Sequence, residues 1–482
     1  MMRIYSIAIV LLFCTIVVPA QNIDSYFVTK GQKQALCSDE VFLRRAYLSV
    51  TGKLAQKEKA TEFLNSTNSD KRRKLIDNLL ESDDYLTYFG NLWGDMLRIK
   101  SEFPSNLWPN GVQAYNRWVH EKLTSNTPYN QIVNELLLSK GSNFRVPAVN
   151  FYRAFPRKTP DNIYNNIQLL FLGNRKPMDD GKVFFSQIRY KSTKEWKEEI
   201  VYVDYHMKPP KPAVNIDGAS LILTENEDWR NTYVNWLTDK SNKRFAAVMA
   251  NRMWYWVLGQ GLVNEPDDWG AQNPPTKPEL LNYLTKKFIA SGYDMKAFIK
   301  EILISYAFQC AGSGIGTFIP ERLNAEVIVD AIADISGISD QYNSRVPEPF
   351  SYFPAGTHSV ELGDATVSST TLELFGRASR DVSLERQHIK DLNARQLLFL
   401  MNSSELENKI RKSPVLNELC KNQLTVDDIC KAVTLTILSR YPTADELQLY
   451  NSYASKNKLT TKQLCYDLVW LELNSTEFLY NH

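Results

Sequence analysis

Apolar residues in this chain recur at helical spacing in short runs, each opened by a small polar residue and often closed by glycine. That punctuation limits the fold to packed helices. Ser38 precedes Asp39 and Glu40, a capping residue followed by carboxylates that suit the positive end of a helix dipole. Val41, Phe42, Ala46 and Leu48 follow, and Gly52 stops the run. Ser69 opens a second run with Leu75, Ile76, Leu79 and Leu80, and residues 83–99 carry Phe89, Leu92, Trp93 and Met96 on one side. Thr127-Pro128, closed by Gly141, and Thr159-Pro160, ahead of Ile163, Ile167, Leu170 and Phe171, each place proline at a first helical position after a cap. Helical spacing returns at 229–237, 245–258, 278–290, 295–308 and 321–335, and again from Asn393 onward.

The period changes near residue 182. Residues 182–190 and 199–206 are rich in β-branched and aromatic side chains with a polar stretch between them, which predicts a β-hairpin. Lys208-Pro209-Pro210-Lys211-Pro212 can continue neither a helix nor a ladder. It is the expected linker between a domain at 21–215 and a second at 216–482. Residues 340–370, with Pro347, Pro349, Pro354 and Gly356, form the longest stretch without periodicity; loops that long in a compact domain are often functional. The expectation is a mainly α protein, two helical domains with a small β-hairpin near their junction.

Residues 1–20 read as a secretion signal. Arg3 supplies the charge, Ile4 to Val18 is an apolar run too short for a stable membrane span, and Val18-Pro19-Ala20 offers a cleavage site after Ala20. Lipid attachment at Cys14 would want a small residue where Phe13 stands; a buried N-terminal helix is the other alternative. No later run approaches about 18 apolar residues, so a soluble periplasmic or extracellular protein without a membrane span is expected. With 482 residues, 44% of them hydrophobic and 23% charged, the composition is that of a globular protein with room for two or three domains. A net charge of +2 lacks the basic excess of a nucleic-acid binder. Beyond Cys14 the cysteines are Cys37, Cys310, Cys420, Cys430 and Cys465, scattered and without a Cys-x-x-Cys pair, so zinc ribbons and thioredoxin-like chemistry are unsupported. Cys420 and Cys430 could bridge across a loop, or could be buried as plain small hydrophobes.

Several ordered blocks raise a resemblance. The stretch from Ser38 through Asp39-Glu40-Val41-Phe42-Leu43-Arg44-Arg45-Ala46 to Gly52, then Asp70-Lys71-Arg72 and Trp118, resembles the N-terminal, PSCyt-type domain of the planctomycete-cytochrome-associated family. Ala250-Asn251-Arg252-Met253-Trp254, Gly259-Gln260-Gly261-Leu262-Val263, Pro266-Asp267-Asp268-Trp269, Asn273-Pro274-Pro275, Phe375-Gly376-Arg377, Glu385-Arg386 and Leu400-Met401-Asn402 resemble its second, PSD-type domain. Both domains are of unknown function, and the resemblance spans roughly residues 37–475. Many relatives carry a Cys-x-x-Cys-His stretch that resembles a c-type haem site, in which two thiols bond the haem and the histidine ligates iron. Here residues 172–180 hold neither cysteine nor histidine, and Met178 alone cannot attach the group. A cysteine-containing motif ahead of Glu385-Arg386 is likewise replaced, by Val382-Ser383-Leu384. No covalent haem, and no other cofactor, is expected.

The remaining candidates for a binding site are Arg252, Asp267, Asp268, Trp269, Glu385 and Arg386. Paired carboxylates in the Gly- and Pro-rich turn at 264–275 could bind a cation or act as acid and base on a sugar. Adjacent residues on an extended chain point opposite ways, however, so one of the two would serve only as a cap or as a partner for Arg252. Asn251 and Arg252 beside Trp254 and Trp256 could form a ligand face, or a packed core with one buried ion pair. His120, His206 and His358 share no metal-ligand spacing, and no metal is expected. Three readings stay open: an accessory envelope protein binding a partner protein or glycan, a hydrolase or lyase acting on extracellular polysaccharide through Asp267, Asp268, Glu385 and Arg386, and a redox protein with a non-covalent cofactor.

Overall fold

The computed structural model describes residues 22–27, 35–195, 197–344, 346, 353–421 and 424–482. The expected signal at 1–20, Cys14 and the cleavage site, and Pro347 and Pro349 of the long loop, lie outside the described residues. Helix accounts for 56% of the chain and strand for 6%, a mainly α protein.

The caps set the helix ends. Ser38 accepts from the Val41 N–H at 3.3 Å, and Gly52 ends the Asp39–Thr51 helix in the left-handed region at φ 62°. Thr159 and Gly173 close Pro160–Leu172 in the same way. Thr127-Pro128 works otherwise. The Tyr129–Leu138 helix follows Pro128 with no side-chain cap, because the Thr127 hydroxyl pairs with Ser125 at 2.8 Å, and Gly141 begins a short strand.

The expected hairpin is present with a shorter first strand. Ile188–Ser192 pairs antiparallel with Glu199–Val203, from Ile188 opposite Val203 to Ser192 opposite Glu199, and Gly141–Ser142 adds a third strand on the other side of Glu199–Val203. Gly181–Phe185 is a 3-10 turn, since Phe184 and Phe185 are both buried and both pack on Tyr233. A second hairpin, Ala213–Ile216 with Ala219–Ile222, follows the proline-rich stretch. Its turn is Asp217-Gly218, with φ of 46° and 80°, the dipeptide that two-residue hairpin loops favour. The five cysteines at 37, 310, 420, 430 and 465 are free thiols, and all but half-buried Cys420 are fully buried.

One hydrophobic core runs through both halves of the chain. Asp39–Thr51 packs on Lys243–Leu258, and Lys71–Leu80 on Met295–Ile304. Buried arginines reinforce this seam. The last carbonyls of a helix have no partner inside it, and here guanidinium groups from the other half supply one. Arg44 donates to Ile437 O at 3.1 Å and to Glu477 O and Phe478 O at 2.9 Å. Arg230 reaches Leu137 O at 3.2 Å, and Arg252 reaches Leu170 O at 3.1 Å. Among the described residues no helix is long and apolar enough to cross a membrane.

Candidate functional site

The Lys243–Leu258 helix places Arg252 and Trp256 four residues apart, on one face. The Arg252 guanidinium, 1% exposed, donates to Asp267 Oδ1 at 2.9 Å. The other Asp267 oxygen accepts from the Glu385 backbone N–H at 2.7 Å, and the Trp256 indole N–H donates to Glu385 Oε1 at 2.7 Å. Three hydrogen bonds thus run from Arg252 through Asp267 and Glu385 back to Trp256 on the same helix. Glu385 opens a 3-10 turn, Glu385–Gln387, and three residues on lies His388. Its Nε2 stands 2.9 Å from Asp95 Oδ2, while Arg380 Nε donates to Asp95 Oδ1 at 2.7 Å. The Asp83–Met96 helix that carries Asp95 has Gly94 beside it for a steric reason: a Cβ there would lie 2.7 Å from Arg380 Nη1.

Electrostatics separates the roles. Burial opposes ionisation of Asp95, but the Arg380 charge and the His388 hydrogen bond outweigh it and hold Asp95 below the usual carboxylate range. An ionised Asp95 can only accept, so Nε2 carries the proton it shares with Asp95. Burial works against a charged His388, yet the hydrogen bond and charge of Asp95, with Glu326 and Glu385 further off, raise its pKa. Glu385 moves the other way from Asp95. Burial and the Asp267 charge push it up to about 7, against the pull of Arg252, His388 and the Trp256 hydrogen bond. Glu385 and His388 both line a cavity of about 60 Å³, bordered by Tyr88, Tyr255 and Trp256. His388 Nδ1 is buried with no hydrogen-bond partner among the described residues. Among the described residues no three His, Cys, Asp or Glu side chains come together as metal ligands.

The structure brings Arg252, Asp267 and Glu385 into one network and leaves the other candidates outside it. Asp267 turns inward and Asp268 outward, where Arg175 stands 3.6 Å away. Trp269 lies under the Arg244 guanidinium at 4.3 Å and against Gly173, where a Cβ would sit 2.4 Å from the indole. Arg386 is exposed on the far side of its turn. Ser383 is buried and accepts from Arg98 Nε at 2.9 Å. Sequence reasoning missed His388 and Asp95. The Glu385-x-x-His388 spacing, which puts two side chains on one face of a helical turn, was the signal available for the first.

Two family models match. Residues 23–175 match PSCyt2, a protein of unknown function (DUF1549), and residues 229–454 match PSD1, a protein of unknown function (DUF1553). No curated protein and no solved structure matches the chain. Asn91 and Asp95 fall in the first matched region and Arg252, Asp267, Arg380, Glu385 and His388 in the second, so the network is built jointly by both. The chain belongs to the two-domain family in which a PSCyt2 domain precedes a PSD1 domain.

Proposed function

We propose that the protein is an acid–base enzyme, a hydrolase or lyase, with its chemistry at the seam between the two matched domains. The observation that carries this reading is His388. Asp95 takes its Nε2–H, which in the neutral imidazole leaves the Nδ1 lone pair unpaired, on a residue that lines a cavity together with Glu385. A base oriented by a third group is the arrangement that general-base catalysis needs. With a pKa of about 7, Glu385 carries its proton in a large fraction of molecules at neutral pH and can serve as the acid. In hydrolysis, Nδ1 takes a proton from water as its oxygen bonds to carbon, and the departing oxygen takes the Glu385 proton. In elimination, Nδ1 takes the proton from carbon instead. Each such group typically contributes about 10²–10⁴ in rate.

Nitrogen-15 NMR of the imidazole tests this without a substrate. Neutral His388 is expected as the Nε2–H tautomer with Nδ1 bare; an Nδ1–H tautomer removes the base and overturns the reading. Once a cleaved glycan is found in a screen, His388→Ala and Glu385→Gln should each lower turnover at least about 100-fold.

A binding role without chemistry, toward a partner protein or glycan of the envelope, is the second reading. It is favoured by a wide cleft of about 1210 Å³ between the Lys57–Asn65 and Lys71–Leu80 helices on one side and Pro414–Lys421 and Val426–Leu438 on the other. Leu75, Leu79, Leu416 and Val433 contribute apolar lining and Lys57, Lys59 and Lys74 basic groups. Capture of a partner from envelope extracts by the native protein, lost in Leu79→Glu, would support it. Both readings place the protein outside the cytoplasm, on the strength of the charged and apolar run at 1–20. A secreted chain that begins at Gln21 agrees with that; one that retains Met1 does not.

A further inference from the structure

The Pro414–Lys421 helix forms part of one wall of the cleft of about 1210 Å³, to which it gives Pro414, Val415, Leu416, Glu418 and Leu419. Its first turn is held from two sides. Ser413 Oγ accepts from the Leu416 N–H at 3.0 Å, and Val415 crowds Gly337, where a Cβ would lie 3.0 Å from Val415 Cγ2. One turn on, the Tyr466 hydroxyl is shared between Asn417 Oδ1 at 3.1 Å and Arg411 O at 3.0 Å. The last turn carries Cys420. We infer that Cys420 and Cys465 form a disulfide once the protein is outside the cytoplasm, and that this bond pins the last turn of the Pro414–Lys421 helix to the Thr461–Leu473 helix.

The pairing follows from how these two helices meet. Pro414–Lys421 packs on Thr461–Leu473. Asn417 and Cys420 are three residues apart and share a face of the first helix. Cys465 and Tyr466 are neighbours on the second. The bond from Tyr466 to Asn417 fixes the level at which the helices touch, and there the Cys465 and Cys420 thiols are in hydrogen-bond contact. Both thiols are unbonded in the structure. Side chains already in contact across two packed helices need only a short approach to reach the Cβ separation of about 3.8 Å that a bridge requires. Cys430, the nearer partner for Cys420 along the chain, is fully buried and lies near the carboxyl groups of Asp427 and Glu472 instead.

Exposure sets the order of the chemistry. Cys420 is half-buried, so a disulfide from solution can reach it, whereas Cys465 is fully buried. Burial, and after it the adjoining Cys420 thiol, raise the Cys465 pKa, so Cys465 is the poorer first nucleophile. The Cys420 thiolate attacks one sulfur of a donor disulfide, and one donor thiolate leaves. Cys465 then loses its proton, and its sulfur displaces the second donor thiolate from Cys420. One sulfur–sulfur bond forms in the protein and one breaks in the donor, which takes up two electrons and two protons. The reaction rests on the placement outside the cytoplasm, since cytoplasmic thiols are kept reduced.

The bond would also close a covalent loop around the Val426–Leu438 and Ala444–Asn457 helices. The first of these lines the same cleft through Ala432, Val433, Thr436 and Ile437. Oxidation thereby ties the helices of this wall into one unit.

For the test, the purified protein is fully reduced and equilibrated with glutathione buffers of rising disulfide content. It is then alkylated in denaturant and digested with trypsin without reduction. Trypsin places Cys420, Cys430 and Cys465 on separate peptides, 413–421, 422–431 and 463–482, so mass spectrometry reads the pairing directly. The expected product joins 413–421 to 463–482 and leaves Cys430 alkylated. Amide exchange across 413–421 should be slower by about tenfold or more in the oxidised protein than in the reduced one. Cys420→Ser, a small change at a half-buried position, should form no bridge and exchange at the fast rate in both buffers. A product joining 413–421 to 422–431, or Cys420 and Cys465 both alkylated at every glutathione ratio, overturns the pairing. Exchange unchanged by oxidation overturns the pinning of the helix. The glutathione series gives its answer wherever the protein resides, and the placement outside the cytoplasm stands or falls separately on the N-terminus of the secreted chain.

Discussion

Asp267 and Asp268 are chemical twins one residue apart, and burial alone makes them different. Asp267 is enclosed with Arg252, so removing either partner strands a buried charge, which typically costs about 3–5 kcal/mol. Arg252→Ala and Asp267→Ala should each lower stability by that order in denaturant melts, and the double variant should cost clearly less than the sum. Asp268→Ala, on a half-exposed pair, should cost at most about 1 kcal/mol. Coupling near zero between Arg252 and Asp267 would mean the pair does not form. Glu385 gives a pH signature of definite sign. Its folded pKa of about 7 lies above the ordinary 4.5, so the protonated form is favoured by folding. That contribution is complete below pH 4.5 and is lost as pH rises through 7. Glu385→Gln lacks it, so its melting temperature should gain on the native protein's across that window. Parallel curves for the two proteins would contradict the raised pKa.

Gly94 and the caps show how far local sequence carries an element. In the Asp83–Met96 helix a glycine normally weakens the structure relative to alanine. Here Gly94→Ala should instead destabilise, by about 1–3 kcal/mol, because the added methyl meets the Arg380 guanidinium. Thermal melts read this directly, and a stabilised Gly94→Ala would show that Arg380 sits elsewhere. Ser38, Gly52 and Thr159 were legible because cap chemistry acts within a few residues. Thr127 was not, since its hydroxyl turns to Ser125, and residues 182–187 mimicked a strand because Phe184 and Phe185 are apolar for tertiary reasons. The Asp217-Gly218 turn carried a clear hairpin signal, overlooked beside the proline-rich stretch. In the site, Arg252, Asp267 and Glu385 could be reached through ordered family blocks. Asp95 and His388 are 293 positions apart, and Asp95 alone reads as an ordinary helical carboxylate. Nothing short of the fold could pair them.

At the scale of the whole molecule, the arginine forks tie the two matched regions into one core. A fragment of residues 21–215 would leave Arg44 and Arg45 without the carbonyls of Ile437, Phe478 and Phe308. It should therefore keep helical far-ultraviolet circular dichroism while losing near-ultraviolet signal and a sharp melt. A cooperative melt of that fragment would show that the domains fold independently. The Arg44 contacts also bear on timing. The first long helix finds its partners at residues 437 and 477–480, so the amino-terminal half has no finished surface to close upon until the distant stretch has been made. Such a chain holds its early helices only loosely packed while it is being made, and its core sets once residues 437–480 have joined it.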